Sequence, residues 1–168
     1  MKTLFLVLRS VIYMTGFLLF FAWIALRVRT LDQRFGLSLP VAVEIPGAIL
    51  MVLGAILGLA CAGVFISQGR GTPAIFDAPR AFVAIGPYQY VRNPMYIGGL
   101  ALLFGFGLYE RSVSILFLAL LCFLLVHLFV IFHEEPTLAR KFGSSYQEYL
   151  RAVRRWIPRS PNRPLPPP

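Results

Sequence analysis

Four long apolar segments separated by polar stretches dominate the pattern along the chain. They cover roughly residues 10–26, 46–67, 94–109 and 113–132. Segments near or above ~18 apolar residues suggest membrane-spanning helices, although the third is short for a full crossing. The third begins at Pro94, and proline is favoured in the first turn of a helix. The pattern predicts an all-α, polytopic membrane protein with about four transmembrane helices, the last two forming a hairpin across Glu110, Arg111 and Ser112.

The segment after the fourth apolar run has a different, amphipathic pattern. Gly143 is a residue type that ends helices, and Ser145 with Glu148 matches a capping box that starts a new one. One face of this helix then carries residues at helical spacing, namely Tyr146, Tyr149, Leu150 and Val153. The other face is polar and basic. We therefore expect an amphipathic interfacial helix at the lipid headgroups.

Composition agrees with a membrane protein of one domain. The chain is 58% hydrophobic, with a mean hydropathy of +0.73. The net charge of +9 is better explained by basic residues flanking membrane spans than by nucleic-acid binding, because little polar surface is left for a duplex. We assign residues 1–157 to a single domain, with its motif-bearing part at 86–158, and residues 158–168 to a proline-rich tail.

The distribution of basic residues predicts the orientation. With four spans, the N-terminus, the long loop at 68–93 and the tail share one side, and 12 of the 16 Lys and Arg residues lie there. The other side holds Arg27, Arg29, Arg34 and Arg111. By the positive-inside rule, the termini and the long loop are cytoplasmic.

The second span is rich in small residues, including Gly54 and Gly58 in a G-x-x-x-G pattern. Such residues let membrane helices approach closely, and we expect packing within the bundle rather than dimerisation. Cys61 and Cys122 fall inside predicted spans and are expected to be free, with no disulfide or metal pattern. The loop at 68–93 is too apolar for disorder and is expected to pack on the bundle or lie at the interface.

Two polar clusters border these spans. The first, residues 86–99, combines Arg92 and Asn93 with two prolines, three tyrosines and three glycines. The second, about 40 residues on, contains Glu134 and Glu135 directly after the last apolar run. Both fall on the predicted cytoplasmic side, so the fold is expected to bring them together.

These residues resemble a known family. Gly-Pro-Tyr at 86–88, Arg-Asn-Pro-Met-Tyr-Ile-Gly at 92–98, the glutamate pair, Leu138, and Phe-Gly at 142–143 with the following tyrosines resemble the membrane methyltransferases. That group includes isoprenylcysteine carboxyl methyltransferase and the phospholipid N-methyltransferases. The resemblance covers residues 86–158, and the first two spans carry no matching motif. Asn93 stands where the best-known members have histidine, and Arg154 where many have proline.

The resemblance implies S-adenosylmethionine as cofactor, bound between the hairpin and the C-terminal segment, and a lipophilic or membrane-bound methyl acceptor arriving from the bilayer. It implies catalytic roles for Arg92 and Glu134. The implied cofactor-binding residues are Tyr88, Arg92, Asn93, Pro94, Tyr96, Gly98, Glu134, Glu135, Tyr146 and Tyr149. An arginine fork suits the cofactor carboxylate, a glutamate its ammonium, and tyrosine faces its adenine or sulfonium.

Other interpretations remain open on sequence alone. The alternative for Arg92 is a topology anchor, for the glutamates a solvated helix end, and for the tyrosines an aromatic belt. His127, inside the fourth span, is expected to be a hydrogen-bonded core histidine rather than a ligand. At the level of function, the alternatives are a membrane reductase using a nicotinamide cofactor and a non-enzymatic membrane scaffold.

Overall fold

The computed structural model describes residues 2–67 and 84–158. Within these ranges the chain forms five α-helices, which are α1 (Lys2–Phe35), α2 (Glu44–Ser67), α3 (Pro94–Tyr109), α4 (Val113–Phe129) and α5 (Glu135–Ala152). Short 3-10 turns, Val41–Val43 and Gly86–Gln89, precede α2 and α3, and a π-helical segment, Val130–Glu134, joins α4 to α5. The described part contains no strand, so the all-α prediction is confirmed. The expected packing of the loop at 68–83 and the proline-rich tail beyond residue 158 lie outside the described residues.

Three of these helical stretches are long and apolar enough to cross a membrane, over Val11–Phe35, Val41–Val64 and Val113–Ala152. The fourth apolar helix, α3, has 16 residues. At 1.5 Å per residue it is about 24 Å long, which is less than the ~30 Å hydrocarbon core. The chain is thus a polytopic, integral membrane protein, and α3 is as short as its sequence predicted.

Helix α1 is longer than predicted. The apolar pattern predicted an end of the first span near Leu26 and a polar loop at 27–40, whereas α1 continues to Phe35. The reason is local: residues 27–35 contain no proline or glycine, and Arg, Leu and Gln are good helix formers. The helix ends before Gly36, whose φ of 64° is a left-handed conformation that glycine adopts without strain.

Glycines fit α2 and α3 together as an antiparallel pair. A Cβ on Gly54 would lie 2.7 Å from the carbonyl oxygen of Gly98, and a Cβ on Gly47 would lie 2.7 Å from that of Gly105. These glycines are seven residues apart on each helix, so they repeat on one face over two turns. Gly47 and Gly54 of the second span therefore serve packing inside the bundle, as predicted.

The end of the bundle that carries the α3–α4 turn is fastened by Asp32 near the end of α1. Its carboxylate accepts hydrogen bonds from the hydroxyls of Ser112 and Ser114 and, at 2.9 Å, from the backbone N–H of Ser114. Ser112 in turn caps α4 by accepting from the N–H of Ile115 at 3.1 Å. Arg111 crosses to the α1–α2 connection, donating through Nε to the carbonyl of Leu39 at 2.8 Å. One buried carboxylate thus ties α1 to the start of α4.

At the opposite end, α4 passes into α5 through the π-helical segment. The N–H of Glu135 donates to the carbonyl of Val130, five residues back. Pro136 follows at once; it lacks an N–H and its ring would clash with the carbonyl four residues earlier, so a wider turn is favoured here. The chain then bends at Gly143, whose backbone is non-helical (φ 58°, ψ −131°). The sequence predicted a break in the helix at this residue.

The second half of α5 has the predicted apolar face, but this face packs on the protein. Tyr146, Tyr149 and Val153 are buried with Ala84 in a small core, and Leu138 and Phe142 from the first half of the helix pack against it. The burial of Tyr149 excludes a simple aromatic-belt role for it. The bundle core proper lies between α1, α3 and α4, around Ala25, Leu103, Ile115 and Ala119.

Candidate functional site

The two polar clusters of the sequence meet at one end of the bundle, around Glu135. Its carboxylate accepts from Arg92 Nη1 at 2.7 Å, and from Arg155 Nε and Nη2 at 2.9 and 2.8 Å. The side chains of Arg92 and Glu135 are each 14% exposed, and that of Arg155 is 27% exposed. A largely buried carboxylate shared by two guanidiniums joins the loop before α3, the start of α5 and the segment after α5.

This ion-pair network also fixes the guanidinium of Arg92. Its Nη1 is committed to Glu135. Its Nε, however, is buried and has no hydrogen-bond partner within residues 2–67 and 84–158. Buried donors are nearly always paired in folded proteins, and an orphan at this position invites an acceptor. The edge of the guanidinium that carries Nε is one that carboxylates bind side-on.

Glu134 lies in a different environment from its neighbour. It is half-buried and accepts from the hydroxyl of Tyr96 at 3.0 Å, its one hydrogen bond to the described residues. Successive helical residues point about 100° apart, which explains why Glu135 faces the arginines and Glu134 faces α3. Glu134 is therefore a carboxylate with acceptor capacity to spare, whereas Glu135 is already neutralised by two cations.

The remaining predicted tyrosines support this end of the bundle. Tyr149 donates to the carbonyl of Tyr88 at 2.7 Å, which fixes the 3-10 turn against α5. The Tyr88 hydroxyl interacts with the Cys61 thiol of α2, and burial raises the pKa of Tyr88 well above its usual range, so the hydroxyl stays protonated. Tyr146 is buried beside Tyr149 and lies near both glutamates and both arginines.

The backbone around Asn93 is paired with the segment after α5. Asn93 is buried and its Nδ2 donates to the carbonyl of Arg155 at 3.2 Å, while the N–H of Arg92 donates to the carbonyl of Arg154 at 2.9 Å. Pro94 is fully buried at the first turn of α3. Gly98 packs on α2, where an added Cβ would lie 2.9 Å from the carbonyl of Gly54. Each of these three residues thus has a structural contact; their roles toward a cofactor stay predictions.

His127 is hydrogen-bonded, as predicted. Its Nδ1 accepts from Trp156 Nε1 at 2.9 Å. Phe123, one turn earlier on α4, stacks on the His127 ring and packs edge-on against the Trp156 ring. The contact anchors the segment after α5 to the side of α4. Cys61 and Cys122 form no disulfide bond, which agrees with the sequence.

Sequence reasoning missed Arg155. It was grouped with the solvated, basic face of the amphipathic helix, yet it supplies two of the three hydrogen bonds to Glu135. Hydrogen bonding and charge attraction from Glu135 raise the pKa of Arg155, so its guanidinium stays charged. The sequence carries little sign of this contact, because 20 residues and a helix bend separate Arg155 from Glu135. The contacts of Asp32 with Ser112 and Ser114, and of Trp156 with His127, were likewise not predicted from the sequence.

A comparison with models of protein families identifies the family to which the chain belongs. The model of the phospholipid methyltransferases matches residues 43–145, which is more than half of the chain. The chain belongs to the phospholipid methyltransferase family. The match begins at residue 43, directly before α2, so it includes the second span, which carries no motif recognisable from the sequence alone. It contains the Arg92 loop, α3, α4 and both glutamates, and it ends before Arg155. No curated protein matches the chain significantly.

Membership of the phospholipid methyltransferase family makes the protein a membrane methyltransferase by descent. It favours methyl transfer over a nicotinamide-dependent reductase or a scaffold, which the sequence alone had left open. The three helical stretches long and apolar enough to cross a membrane agree with an integral membrane enzyme.

Proposed function

We propose that the protein transfers a methyl group from S-adenosylmethionine to a lipid-soluble or membrane-embedded acceptor at the cytoplasmic face. The observation that carries the proposal is the contrast between the two adjacent glutamates. Glu135 is neutralised by Arg92 and Arg155, while Glu134 has the Tyr96 hydroxyl as its one hydrogen-bond partner within the described residues. A half-buried carboxylate with spare acceptor capacity favours a cationic ligand.

The residues at this end of the bundle fit S-adenosylmethionine in chemistry. The cofactor carries an ammonium and a sulfonium, for which Glu134 and the tyrosine faces are suitable partners. It also carries a carboxylate, for which the unpartnered Nε of Arg92 is a buried donor. The two glutamates balance the two arginines, so the site can accept a ligand of mixed charge without a large net potential. Tyr88, Asn93, Pro94, Gly98, Tyr146 and Tyr149 complete the proposed cofactor-binding set.

When bound, S-adenosylmethionine would supply an electrophilic methyl group for the lone pair of the acceptor. The protein's contribution is placement. Holding both reactants in near-attack geometry is worth up to ~7–11 kcal/mol. Arg92, fixed through Glu135 and Arg155, would orient the carboxylate end. Glu134, fixed through Tyr96, would hold the cationic end and exclude competing anions.

The cytoplasmic orientation rests on the charge distribution. Residues at the Asp32 end of the bundle form internal ion pairs, with Arg29 bound to Glu110 at 2.6 Å and Arg111 near Glu44 at 3.8 Å. The opposite end, where the proposed site lies, has the excess of basic residues. By the positive-inside rule that end faces the cytoplasm.

The test is calorimetric titration of detergent-purified protein with S-adenosylmethionine and, separately, with reduced nicotinamide dinucleotide. We expect saturable binding of the first and none of the second. Binding of the nicotinamide alone would support the reductase, and binding of neither would support the scaffold. The variant Glu134→Gln, which keeps shape and removes charge, should weaken the binding of S-adenosylmethionine.

A further inference from the structure

The segment that follows α5 is fastened by its backbone to the loop before α3. The carbonyl of Arg154 accepts from the backbone N–H of Arg92 at 2.9 Å. The carbonyl of Arg155, the next residue, accepts from Asn93 Nδ2 at 3.2 Å. These two contacts hold the backbone of Arg155 on the side of the segment that faces the loop.

Trp156 fastens the same segment to α4. Its indole N–H donates to His127 Nδ1 at 2.9 Å, and its ring packs edge-on against that of Phe123, with the ring centres 5.4 Å apart. Phe123 also stacks on the ring of His127. An indole whose N–H is bonded and whose ring is packed has little freedom to turn. Trp156 therefore holds the segment on the side that faces α4.

Arg155 and Trp156 bind the continuous helical stretch of α4 and α5 at two places. Trp156 binds His127, while Arg155 binds Glu135 through Nε and Nη2 at 2.9 and 2.8 Å. His127 and Glu135 are separated by roughly 12 Å along the helix, at 1.5 Å per residue. A displacement of Trp156 would move the backbone of Arg155 relative to the carboxylate of Glu135. A paired guanidinium tolerates little displacement, because two parallel hydrogen bonds fix its orientation.

Glu135 transmits this alignment to Arg92. Its Oε1 accepts both from Arg155 Nε at 2.9 Å and from Arg92 Nη1 at 2.7 Å. Because one oxygen atom is shared by two guanidiniums, a shift of Arg155 also changes the position of Arg92. The Nε of Arg92 is the buried donor without a hydrogen-bond partner among the described residues, and it is proposed to bind the cofactor carboxylate.

We propose that Trp156 and His127 are positioning residues for the proposed cofactor site. Their contact holds Arg155 against Glu135, and Glu135 holds the guanidinium of Arg92 that binds the cofactor carboxylate. The inference rests on the proposed function for its ligand. It also accounts for His127, an ionisable residue in an apolar helix, where such residues are costly and tend to have a function.

His127→Leu and His127→Asn test the hydrogen bond separately from the side chain that makes it. Leucine has no acceptor, whereas Oδ1 of asparagine lies two bonds from Cβ, as Nδ1 does in histidine, and can accept from the indole. In calorimetric titration with S-adenosylmethionine, His127→Leu should raise Kd by about 2- to 12-fold, the range that corresponds to one neutral hydrogen bond. His127→Asn should recover most of the affinity.

A matched pair of tryptophan substitutions tests the other partner of the bond. Trp156→Phe keeps an aromatic ring and removes the N–H, so it should weaken the binding of S-adenosylmethionine as His127→Leu does. Trp23→Phe makes the same change on α1, where the side chain is 58% exposed, and should leave Kd unchanged.

Thermal unfolding in detergent provides a measurement that needs no cofactor. Residues separated by more than about 7–10 Å that act independently give additive losses of stability. The proposal instead predicts that His127→Leu and Glu135→Gln together lower Tm by less than the sum of their single effects. The control combines His127→Leu with Glu110→Gln at the opposite end of the bundle, and these two losses should add.

The outcomes separate this proposal from the proposed function. Unchanged cofactor affinity in folded His127→Leu and Trp156→Phe would show a merely structural contact and overturn the proposal, as would additive losses of Tm for His127→Leu with Glu135→Gln. If the unaltered protein binds no S-adenosylmethionine while those losses are not additive, the proposed function fails and the positioning of Arg155 by Trp156 stands.

Discussion

We expect substitutions at the two adjacent glutamates to have different effects, one on the stability of the fold and the other on cofactor binding. Glu135→Gln removes the charge that two guanidiniums share, while Glu134→Gln removes a charge whose one described hydrogen bond comes from Tyr96. The first substitution should destabilise the fold. The second should leave the fold nearly intact and weaken the binding of S-adenosylmethionine.

The magnitude for Glu135→Gln follows from its contacts. Three charge-assisted hydrogen bonds end on this carboxylate, and its side chain is 14% exposed. Breaking a buried ion pair costs about 3–5 kcal/mol, because the remaining charge is left uncompensated. Arg155 is 27% exposed and the glutamine oxygen still accepts one bond, so solvent reduces the loss to about 2–3 kcal/mol. For a chain of this size that corresponds to a fall in Tm of about 4–12 °C.

Compared with Glu135→Gln, Glu134→Gln should change the stability of the fold less and the affinity for the cofactor more. The amide oxygen of glutamine still accepts from the Tyr96 hydroxyl, so the stability change should stay below about 1 kcal/mol. A lost charge-assisted contact to the cofactor ammonium costs about 1.5–3 kcal/mol, which is roughly a 10- to 150-fold rise in Kd.

The assays are thermal unfolding in detergent and calorimetric titration with S-adenosylmethionine, run on both variants and the unaltered protein. Arg155→Ala serves as a second probe of the network and should also lower Tm. The double variant Glu135→Gln/Arg155→Ala should lower Tm by less than the sum of the two single changes, because both remove the same ion pair. Equal, small effects of both glutamate substitutions on affinity would refute the placement of this pair in the site. A large affinity loss in Glu135→Gln with an unchanged Tm would reverse the two assignments.

Three further predictions concern Arg92, the glycines of α2 and the orientation in the membrane. Arg92→Lys keeps the charge but loses the guanidinium edge that carries Nε, so the binding of S-adenosylmethionine should weaken by about 1.5–3 kcal/mol, roughly a 10- to 150-fold rise in Kd. Unchanged affinity in Arg92→Ala would make Arg92 a topology anchor. Gly54→Ala should destabilise the bundle by about 1–3 kcal/mol in thermal unfolding, because the added Cβ clashes with α3. Gly58→Ala is the control, since its Cβ would meet nothing within 4 Å, and it should not destabilise the bundle. Equal losses of stability in the two variants would contradict the glycine contact. A cysteine placed at position 80, outside the described residues, should resist labelling by an impermeant reagent added to intact cells, and efficient labelling would invert the topology.

The sequence predicted the helices best where local chemistry marked their ends. Pro94 and the turn at 110–112 placed the bounds of α3 correctly, and Gly143 marked the bend in α5. It failed for the end of α1, because the charges at 27–34 resembled a loop although nothing there breaks a helix. That stretch is held by Asp32, whose partners Ser112 and Ser114 are 80 or more residues away.

The sequence predicted that Arg92 and the two glutamates lie close together, but it did not predict which contacts they make. Sequence spacing placed Arg92 and the glutamates at the same end, and the different roles of adjacent glutamates followed from the 100° step of a helix. Which glutamate takes the arginines depends on where the segment after α5 returns, and that is a tertiary property. Arg155 therefore looked like any other basic surface residue until the fold brought it to Glu135.

Transfer of a labelled methyl group tests the central claim most directly. Protein in vesicles made from a membrane lipid extract is incubated with S-adenosylmethionine labelled in its methyl group, and the lipid fraction is separated and counted. We expect label in a lipid species with the unaltered protein, and a loss of most of it with Glu134→Gln at a subsaturating cofactor concentration. Absence of label from every lipid, with the protein folded and the cofactor bound, would contradict a lipid acceptor, and full labelling by Glu134→Gln would contradict the site.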